Sequence, residues 1–218
     1  MSNQDEIMRS QMAQMAGSYD AYMQRMTGGR EPILRELTVN LAQIEPGNQV
    51  LEVGCGTGTL SLAASQRVGP TGKVYGIDMI PQMIELSQKK AAQAGAEITF
   101  QLGSIDAIPF PANQFDAVLC SFMIFHMSEG VRHKGIQEIQ RVLKPRGCLL
   151  VVDLTPPANP IQRALANTFF GGFMQHHLQE LLPEVQAAGF TEIELAPVPF
   201  RVFLLSLISF LRARADKG

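Results

Sequence analysis

The segment Val50 to Gly58 reads VLEVGCGTG, an apolar run that carries Glu52 and ends in three alternating glycines. The apolar run predicts a buried parallel strand, and the glycines predict a tight turn into a helix over 59–67. Glycine adopts backbone angles that other residues avoid and lets a ligand approach the chain, while the first N–H groups of the helix suit an anionic group. Thr59 stands where the dinucleotide fingerprint G-x-G-x-x-G has its last glycine. This difference argues against a nicotinamide cofactor and a redox role.

Strand-like and helix-like segments alternate along the rest of the chain, which predicts a parallel sheet covered by helices on both faces. The expected strands are 49–54, 73–78, 97–103, 115–120 and 147–154, and the expected helices are 59–67, 81–94 and 131–143. A helix over 178–188 precedes two extended segments, 191–196 and 201–209, which Pro197 and Pro199 separate as in an antiparallel hairpin. Before the sheet, a helix is expected over 32–43, preceded by a stripe at helical spacing: Met8, Met12, Met15, Tyr19, Tyr22 and Met26.

The composition indicates a cytoplasmic α/β protein. The 218 residues are 46% hydrophobic, enough to bury a core, and the net charge of -2 gives no attraction for nucleic acid. Three scattered cysteines without metal-ligand spacing indicate reduced thiols and no metal site. The polar N-terminus predicts no signal peptide, and the longest apolar run, Val202 to Leu211, is shorter than the ~20 residues of a spanning helix.

Six motifs occur in an ordered series along the chain: SYD (18–20), VLEVGCGTG (50–58), GID (76–78), IPFP (108–111), FDAV (115–118) and RVLKPRG (141–147). In these motifs, over roughly 15–195, the chain resembles the class I S-adenosylmethionine (SAM)-dependent methyltransferases, in the branch of the ubiquinone/menaquinone C-methyltransferases. The resemblance implies an α/β fold with a doubly wound, Rossmann-like, seven-stranded sheet, mostly parallel with the last strand antiparallel. It also implies a single domain over 1–218, with an N-terminal helical lid over 1–45 and a substrate-specificity segment over 155–180.

The resemblance implies a SAM site at the carboxyl ends of the strands. Glu52 would order the glycine turn near the methionine amino group, or else cap backbone N–H groups. Asp78 would accept both ribose hydroxyls, or else cap the helix before Pro81. The full cofactor set implied is Tyr19, Glu52, Gly54, Cys55, Gly56, Gly58, Asp78, Met79, Ser104, Ile105, Ser121 and Phe122.

Some positions depart from the family pattern or admit a simpler role. Ser104 stands where many relatives carry an acidic residue for the adenine amine, and Asp106 either compensates or caps the next turn. Tyr19 is implied to reach the carboxylate end of the cofactor, although the Met and Tyr stripe also covers a core. Met79 is a wall of the adenine pocket or a core residue, and Cys55 is a small filler rather than a nucleophile.

The fourth expected strand leads into an aromatic segment that the resemblance places beside the sulfonium and the substrate. Phe122 would offer its ring face to the positive sulfur, and His126 is the candidate general base or else a core histidine that donates to a backbone carbonyl. His176 and His177 fall in the segment that sets substrate specificity in the family. An apolar acceptor pocket is expected from Phe122, Phe125, Phe169, Phe170 and Phe173.

We therefore expect a SAM-dependent methyltransferase that acts on a hydrophobic small molecule, a quinone-type ring or a lipid. The alternatives are a phospholipid N-methyltransferase and a non-catalytic SAM-binding protein; the sequence sets neither the acceptor atom nor the oligomeric state. The basic tail admits contact with a membrane surface, but it is also explained as a solvated end after a buried last strand. Its residues are Arg201, Arg212, Arg214 and Lys217.

Overall fold

The structure is a computed structural model that describes residues 3–157, 159–161, 163–164, 166, 176–202 and 205–217. Three helices lie before the sheet: α1 (Asn3–Met15), α2 (Tyr19–Thr27) and α3 (Glu31–Leu41), with a 3-10 turn over Ala16–Ser18. The strands are β1 (Gln49–Val53), β2 (Lys73–Asp78), β3 (Ile98–Leu102), β4 (Phe115–Ser121), β5 (Leu143–Leu154), β6 (Phe190–Pro197) and β7 (Ile208–Ala215). The helices between them are α4 (Thr59–Val68), α5 (Pro81–Ala94), α6 (Glu129–Val142) and α7 (Leu182–Ala187).

The seven strands form one sheet in the order β3-β2-β1-β4-β5-β7-β6. The first five strands pair in parallel, and β7 runs antiparallel to both β5 and β6, so six strands share one direction. The strand order reverses between β1 and β4, where the two connecting helices leave towards opposite faces and open a crevice at the carboxyl ends. The predicted fold class is confirmed.

Each central strand is buried on both faces, because alternate residues point into two separate cores. Val50 belongs to the core under α3 and α4, whereas its neighbour Leu51 belongs to the core under α6 and α7. Met23 and Met26 of α2 pack into the first core, so the N-terminal helices are part of the folded body. This double burial explains the unbroken apolar run at the start of the glycine motif.

The last hairpin differs from the prediction. A strand was expected over 201–209, but β7 begins at Ile208 and pairs with β5 from Leu154↔Ile208 to Cys148↔Arg214. Arg212 and Arg214 therefore lie within the last strand and do not follow it, and Arg212 donates to the carbonyl of Leu41 at 3.0 Å. Apolar content misled the prediction because a segment in which small residues alternate with Arg212 and Arg214 also forms a strand, paired on both sides. The other expected elements begin and end within about four residues of the observed bounds.

Replacing Gly58 by alanine is expected to destabilise the fold more than the same change at Gly95. Both glycines are left-handed, with φ of 80° and 61°, so alanine costs about 1–2 kcal/mol at either position. A Cβ at Gly58 would also lie 2.9 Å from both the Phe100 ring and the Ser87 Cβ, whereas nothing lies within 4 Å at Gly95. Urea unfolding should show a further loss of about 1–3 kcal/mol for Gly58→Ala, and equal losses for the two variants would contradict this packing.

Candidate functional site

A cavity of about 450 Å³ opens at the carboxyl ends of β1, β2 and β4. This volume lies within the range of small-molecule sites. The predicted residues that line it are Tyr19, Gly54, Gly56, Asp78, Met79, Ser104, Ile105, Ser121, Phe122 and His126. Glu52, Cys55 and Gly58 do not belong to the described lining, and all three are buried.

Asp78 ties the glycine turn to the end of β2. Its Oδ2 accepts the N–H of Gly56 at 2.9 Å, and its Oδ1 accepts the N–H of Ile80 at 3.0 Å. Burial raises the pKa of the Asp78 carboxyl, and the backbone donors partly oppose this shift. A carboxylate offers about four acceptor sites, so capacity remains on the side that faces the cavity. The N-cap residue of α5 is Ile80, and Asp78 accepts the N–H of this residue. Asp78 is therefore not the N-cap of the helix itself, and its carboxylate stabilises the turn that precedes α5.

Each of the three glycines of the motif is required, or leaves space, for a different structural reason. Gly54 lies against Met123, since a Cβ there would come within 2.9 Å of the Met123 Cγ. Gly58 packs against β3 and α5, as described above. Gly56 faces open space: with φ of 49°, a Cβ there would have only the Tyr19 ring near it, at 3.8 Å. Gly56 is thus the glycine that leaves room for a ligand.

Glu52 is buried behind the turn, where its carboxylate accepts the hydroxyl of Ser61 on α4. Burial raises the pKa of Glu52 to about 7, and the Ser61 hydrogen bond and the nearby Arg35 charge oppose the shift. The contact holds β1 to the helix that follows the turn. Cys55 is likewise buried, and burial raises the pKa of its thiol, which keeps it protonated and unreactive.

The start of α2 lies directly over the glycine turn. The hydroxyl of Thr57 donates to Asp20 at 2.6 Å, and Lys90 of α5 pairs with the same carboxylate at 2.5 Å. The adjacent Tyr19 is the side chain nearest to Gly56, and burial raises the pKa of its phenol to about 12. The two alternatives for Tyr19 are therefore compatible, because it packs on the molecule and lines the cavity.

Arg35 is the main feature of this edge that sequence reasoning missed. It is buried on α3, where its Nε and Nη2 donate to the Glu31 carboxylate at 3.2 and 3.1 Å. Its Nη1 donates to the Ser121 hydroxyl at 3.0 Å, at the end of β4. Thr59 completes the network by donating to Glu31 at 2.8 Å. A charged pair spaced i, i+4 on a helix was the available signal, but such pairs are usually solvent-exposed.

The end of β3 supplies a polar pair in place of a single acidic residue. The hydroxyl of Ser104 donates to the Asp106 carboxylate, and both side chains line the cavity with Ile105 between them. Leu102 and Met79 add apolar surface at the same end. Asp106 therefore offers a hydrogen-bond acceptor at this end of the cavity.

Phe122 and His126 form the wall of the cavity after β4. Phe122 has a left-handed φ of 55°, which is strained for a residue of its size, and its ring lies 5.9 Å from the Arg35 guanidinium carbon. The ring of His126 donates to the backbone carbonyl of Phe122, and burial lowers its pKa, so it is neutral near pH 7. The hydrogen bond agrees with the simpler alternative for His126, although the same ring lines the cavity.

His176 and His177 lie away from the cavity. His176 stacks on Phe125 with ring centroids 5.0 Å apart and bonds to Glu180 at 2.9 Å, and the backbone N–H of His177 donates to Glu180 at 2.8 Å. Neither histidine lines the 450 Å³ cavity. Phe169, Phe170 and Phe173 lie outside the described residues. Within the described ranges, no three metal-binding side chains come together, and no helix is long and apolar enough to cross a bilayer.

The comparisons with known proteins agree with this geometry. A family model described as a methyltransferase domain matches residues 50–147. The ubiquinone/menaquinone biosynthesis C-methyltransferase UbiE of Ectopseudomonas mendocina is 33% identical over 164 residues, covering 73% of this chain and 62% of that protein. The chain belongs to the class I SAM-dependent methyltransferase family. It spans about 62% of the length of this curated relative.

Solved structures share the fold of this methyltransferase family member at low sequence identity. A SAM-dependent methyltransferase from Aquifex aeolicus superposes with a TM-score of 0.68 at 21% identity, over 95% of this chain and 98% of that one. The [4+2]-cyclase SpnF superposes with a TM-score of 0.69 at 22% identity, over 86% and 81% of the two chains. The cyclase shows that the fold alone does not determine the reaction.

Replacing Glu52 by glutamine is expected to remove a pH-dependent loss of stability in this methyltransferase domain. Between the unfolded pKa of about 4.3 and the folded pKa of about 7, the folded chain keeps a proton that the unfolded chain releases, so a rising pH favours unfolding. Glutamine has no proton to lose and still accepts from Ser61. The free energy of unfolding of Glu52→Gln, relative to the original chain, should therefore increase from pH 5 to pH 7.5, by up to about 3 kcal/mol.

Glu97→Gln is the matched control for this experiment, because Glu97 is an exposed carboxylate at the amino end of β3. Its stability difference should stay constant over the same range. A constant difference for Glu52→Gln as well would mean that Glu52 is ionised in the folded state at low pH.

Proposed function

We propose that this chain transfers a methyl group from SAM to a hydrophobic small molecule, such as a quinone-type ring or a lipid. The observation that carries the proposal is the hydrogen bond from the N–H of Gly56 to the carboxylate of Asp78. Gly56 is also the motif glycine that faces open space. This arrangement offers a carboxylate and an unobstructed backbone to the same ligand. A nucleoside would use both features, because its ribose hydroxyls would donate to the carboxylate while the rest of the ligand would lie against the backbone of the turn.

The residues at the β2 and β3 ends fit the adenosine half of SAM. The Asp78 oxygens that face the cavity would accept the ribose hydroxyls. Met79 and Ile105 would contact the faces of the adenine ring, and Asp106, oriented by Ser104, would accept its amine. Asp106 would thus take the place of the acidic residue missing at position 104, with Ser104 orienting it.

The residues at the β1 and β4 ends fit the methionine half. Ser121 accepts from Arg35, so its own proton is left to donate into the cavity, where a carboxylate would accept it. Tyr19 would cover this end from α2. Glu52 and Arg35 lie one layer behind, so they would set the local charge and hold the turn rather than contact the ligand directly.

When bound, SAM supplies an electrophilic methyl group on a positive sulfur. The ring face of Phe122 suits that charge, as its proximity to the Arg35 guanidinium indicates. The chain's remaining tasks are to align the acceptor and to exclude water. The helices α1 and α2 would exclude water, because their side chains Met12 and Tyr19 line the cavity.

Two observations support a quinone-type acceptor. The site has apolar walls, and the Ectopseudomonas mendocina relative is named as a ubiquinone/menaquinone biosynthesis C-methyltransferase. A phospholipid amine is the second candidate, because Arg9 of α1 lines the cavity and would pair with a phosphate. Radiolabelled SAM incubated with a lipid extract separates the readings. A labelled apolar ring product supports the first, a labelled headgroup supports the second, and SAM binding without product supports a non-catalytic binding protein.

Asp78→Asn is expected to weaken SAM binding by at least about 10-fold, because an amide loses a charge-assisted acceptor for the ribose and for Gly56. Isothermal calorimetry with SAM and with S-adenosylhomocysteine measures the loss. Glu97→Gln should bind both ligands as the original chain does. Unchanged SAM affinity in Asp78→Asn would show that the Asp78 carboxylate does not bind the ribose.

A further inference from the structure

A second, smaller cavity adjoins the first one, and we call it the niche. It measures about 40 Å³ and shares Met12, Tyr19, Phe122 and His126 with the larger cavity. Its other lining residues are Tyr22 and Asp153, together with Met15, Met23, Met26 and Leu154. The volume is sufficient for one small polar group and too small for a ring. A ligand that reaches the niche would therefore keep its ring in the larger cavity.

Asp153 is a buried carboxyl near the end of β5, the strand next to β4. Its Oδ1 accepts the N–H of Leu154 at 2.8 Å, and the carboxylate also accepts the N–H of Ile124. These donors hold the carboxyl in one orientation at the niche. Burial outweighs them and raises the pKa of Asp153 to about 7.

The surroundings of Asp153 provide no compensating positive charge in the niche. The described residues that line the niche include neither lysine nor arginine. Of the titratable neighbours, Tyr19 and Tyr22 have pKa values raised by burial, as does Cys120, while burial lowers the pKa of His126. The carboxyl of Asp153 therefore changes its charge near pH 7 without a cation in the niche to hold it ionised.

A carboxylate at this position favours one class of acceptor over another. An amine beside it would be stabilised as an ammonium, which has no lone pair to attack a methyl group. A hydroxyl on an aromatic or enolic carbon has the opposite need, because it must lose a proton before its oxygen or the adjacent ring carbon becomes a strong nucleophile. The apolar walls suit such a ring.

We propose that Asp153 is a catalytic base that accepts the proton of a ring hydroxyl on the acceptor, an assignment that rests on the proposed methyl transfer. The hydroxyl occupies the niche and donates to the carboxylate. Its O–H bond breaks and the proton passes to Asp153. The electron pair released on the acceptor forms the new bond to the methyl carbon, and the pair of the broken carbon–sulfur bond stays on sulfur. Asp153 then returns the proton to solvent after the product leaves.

The first test is methyl transfer from radiolabelled SAM to 1,4-naphthohydroquinone. The rate should rise with pH through an apparent pKa near 7, because the base must be ionised. Asp153→Asn should lower kcat by about 100-fold or more and make the remaining rate independent of pH between 6 and 8. Asp153→Glu should restore part of the rate with its pH dependence, and Glu97→Gln should behave as the original chain.

The second test needs no turnover. Protein saturated with S-adenosylhomocysteine is titrated with 1-naphthol and, for comparison, with naphthalene, which lacks the hydroxyl. Asp153→Ala should weaken 1-naphthol binding by about 5- to 10-fold and leave naphthalene binding unchanged. SAM affinity within about 2-fold of the original shows that the Asp153 variants are folded and that the cofactor site is intact.

The outcomes separate this inference from the proposed function. Absence of SAM binding by the original chain removes the function itself. If the protein binds SAM and Asp153→Asn keeps full activity, the role of Asp153 is overturned and methyl transfer stays in place. The same conclusion holds if phosphoethanolamine, offered in a parallel assay, is labelled and 1,4-naphthohydroquinone is not. If no probe is labelled, equal affinity of Asp153→Ala and the original chain for 1-naphthol overturns it.

Discussion

The structure depends on the backbone hydrogen bonds that converge on the carboxylate of Asp78, two of which join neighbouring connections of the sheet. One comes from Gly56 in the turn after β1 and the other from Ile80 before α5, so a single buried side chain joins two adjacent βα connections. The backbone carbonyl of Asp78 accepts from Gly103 at 3.1 Å and extends the link to β3. A buried carboxylate is stable only with such donors. The same constraint leaves its outer face available to a ligand at the sheet's crevice.

The N-terminal helices are joined to this edge by buried or partly buried polar contacts as well as by apolar packing. Asp20 bonds to Thr57 of the glycine turn, and the Glu31–Arg35 pair bonds to Thr59 at the start of α4. Breaking a buried pair of this kind by removing one partner costs about 3–5 kcal/mol, because it leaves an uncompensated charge. Thr59, the residue that distinguishes this loop from a dinucleotide loop, is therefore also the attachment point of α3.

Two buried carboxyls, Glu52 and Asp153, have pKa values raised by the same desolvation but differ in access. Glu52 is enclosed by α4 and accepts the hydroxyl of Ser61, so its ionisation affects stability. Asp153 faces a niche that adjoins the larger cavity, so its ionisation is available to a ligand. Desolvation raises the pKa of both carboxyls, but of the two it is Asp153 that lines a cavity which a ligand can enter.

The sequence alone determined the doubly wound sheet and most of the residues around the cavity, because alternation of strands and helices and a local glycine motif act over short distances along the chain. It did not locate β7, since an apolar run carries no record of which half will pair with β5. The partners of Arg35 and Asp153 were decided only by the tertiary structure. Each is an ordinary charged residue in the sequence, and its environment is made by segments tens of residues away: Ser121 beside Arg35, Ile124 and α2 beside Asp153. Burial and the distant partners of a charged group are properties of the packed molecule, so a local pattern such as the i, i+4 spacing of Glu31 and Arg35 does not predict them.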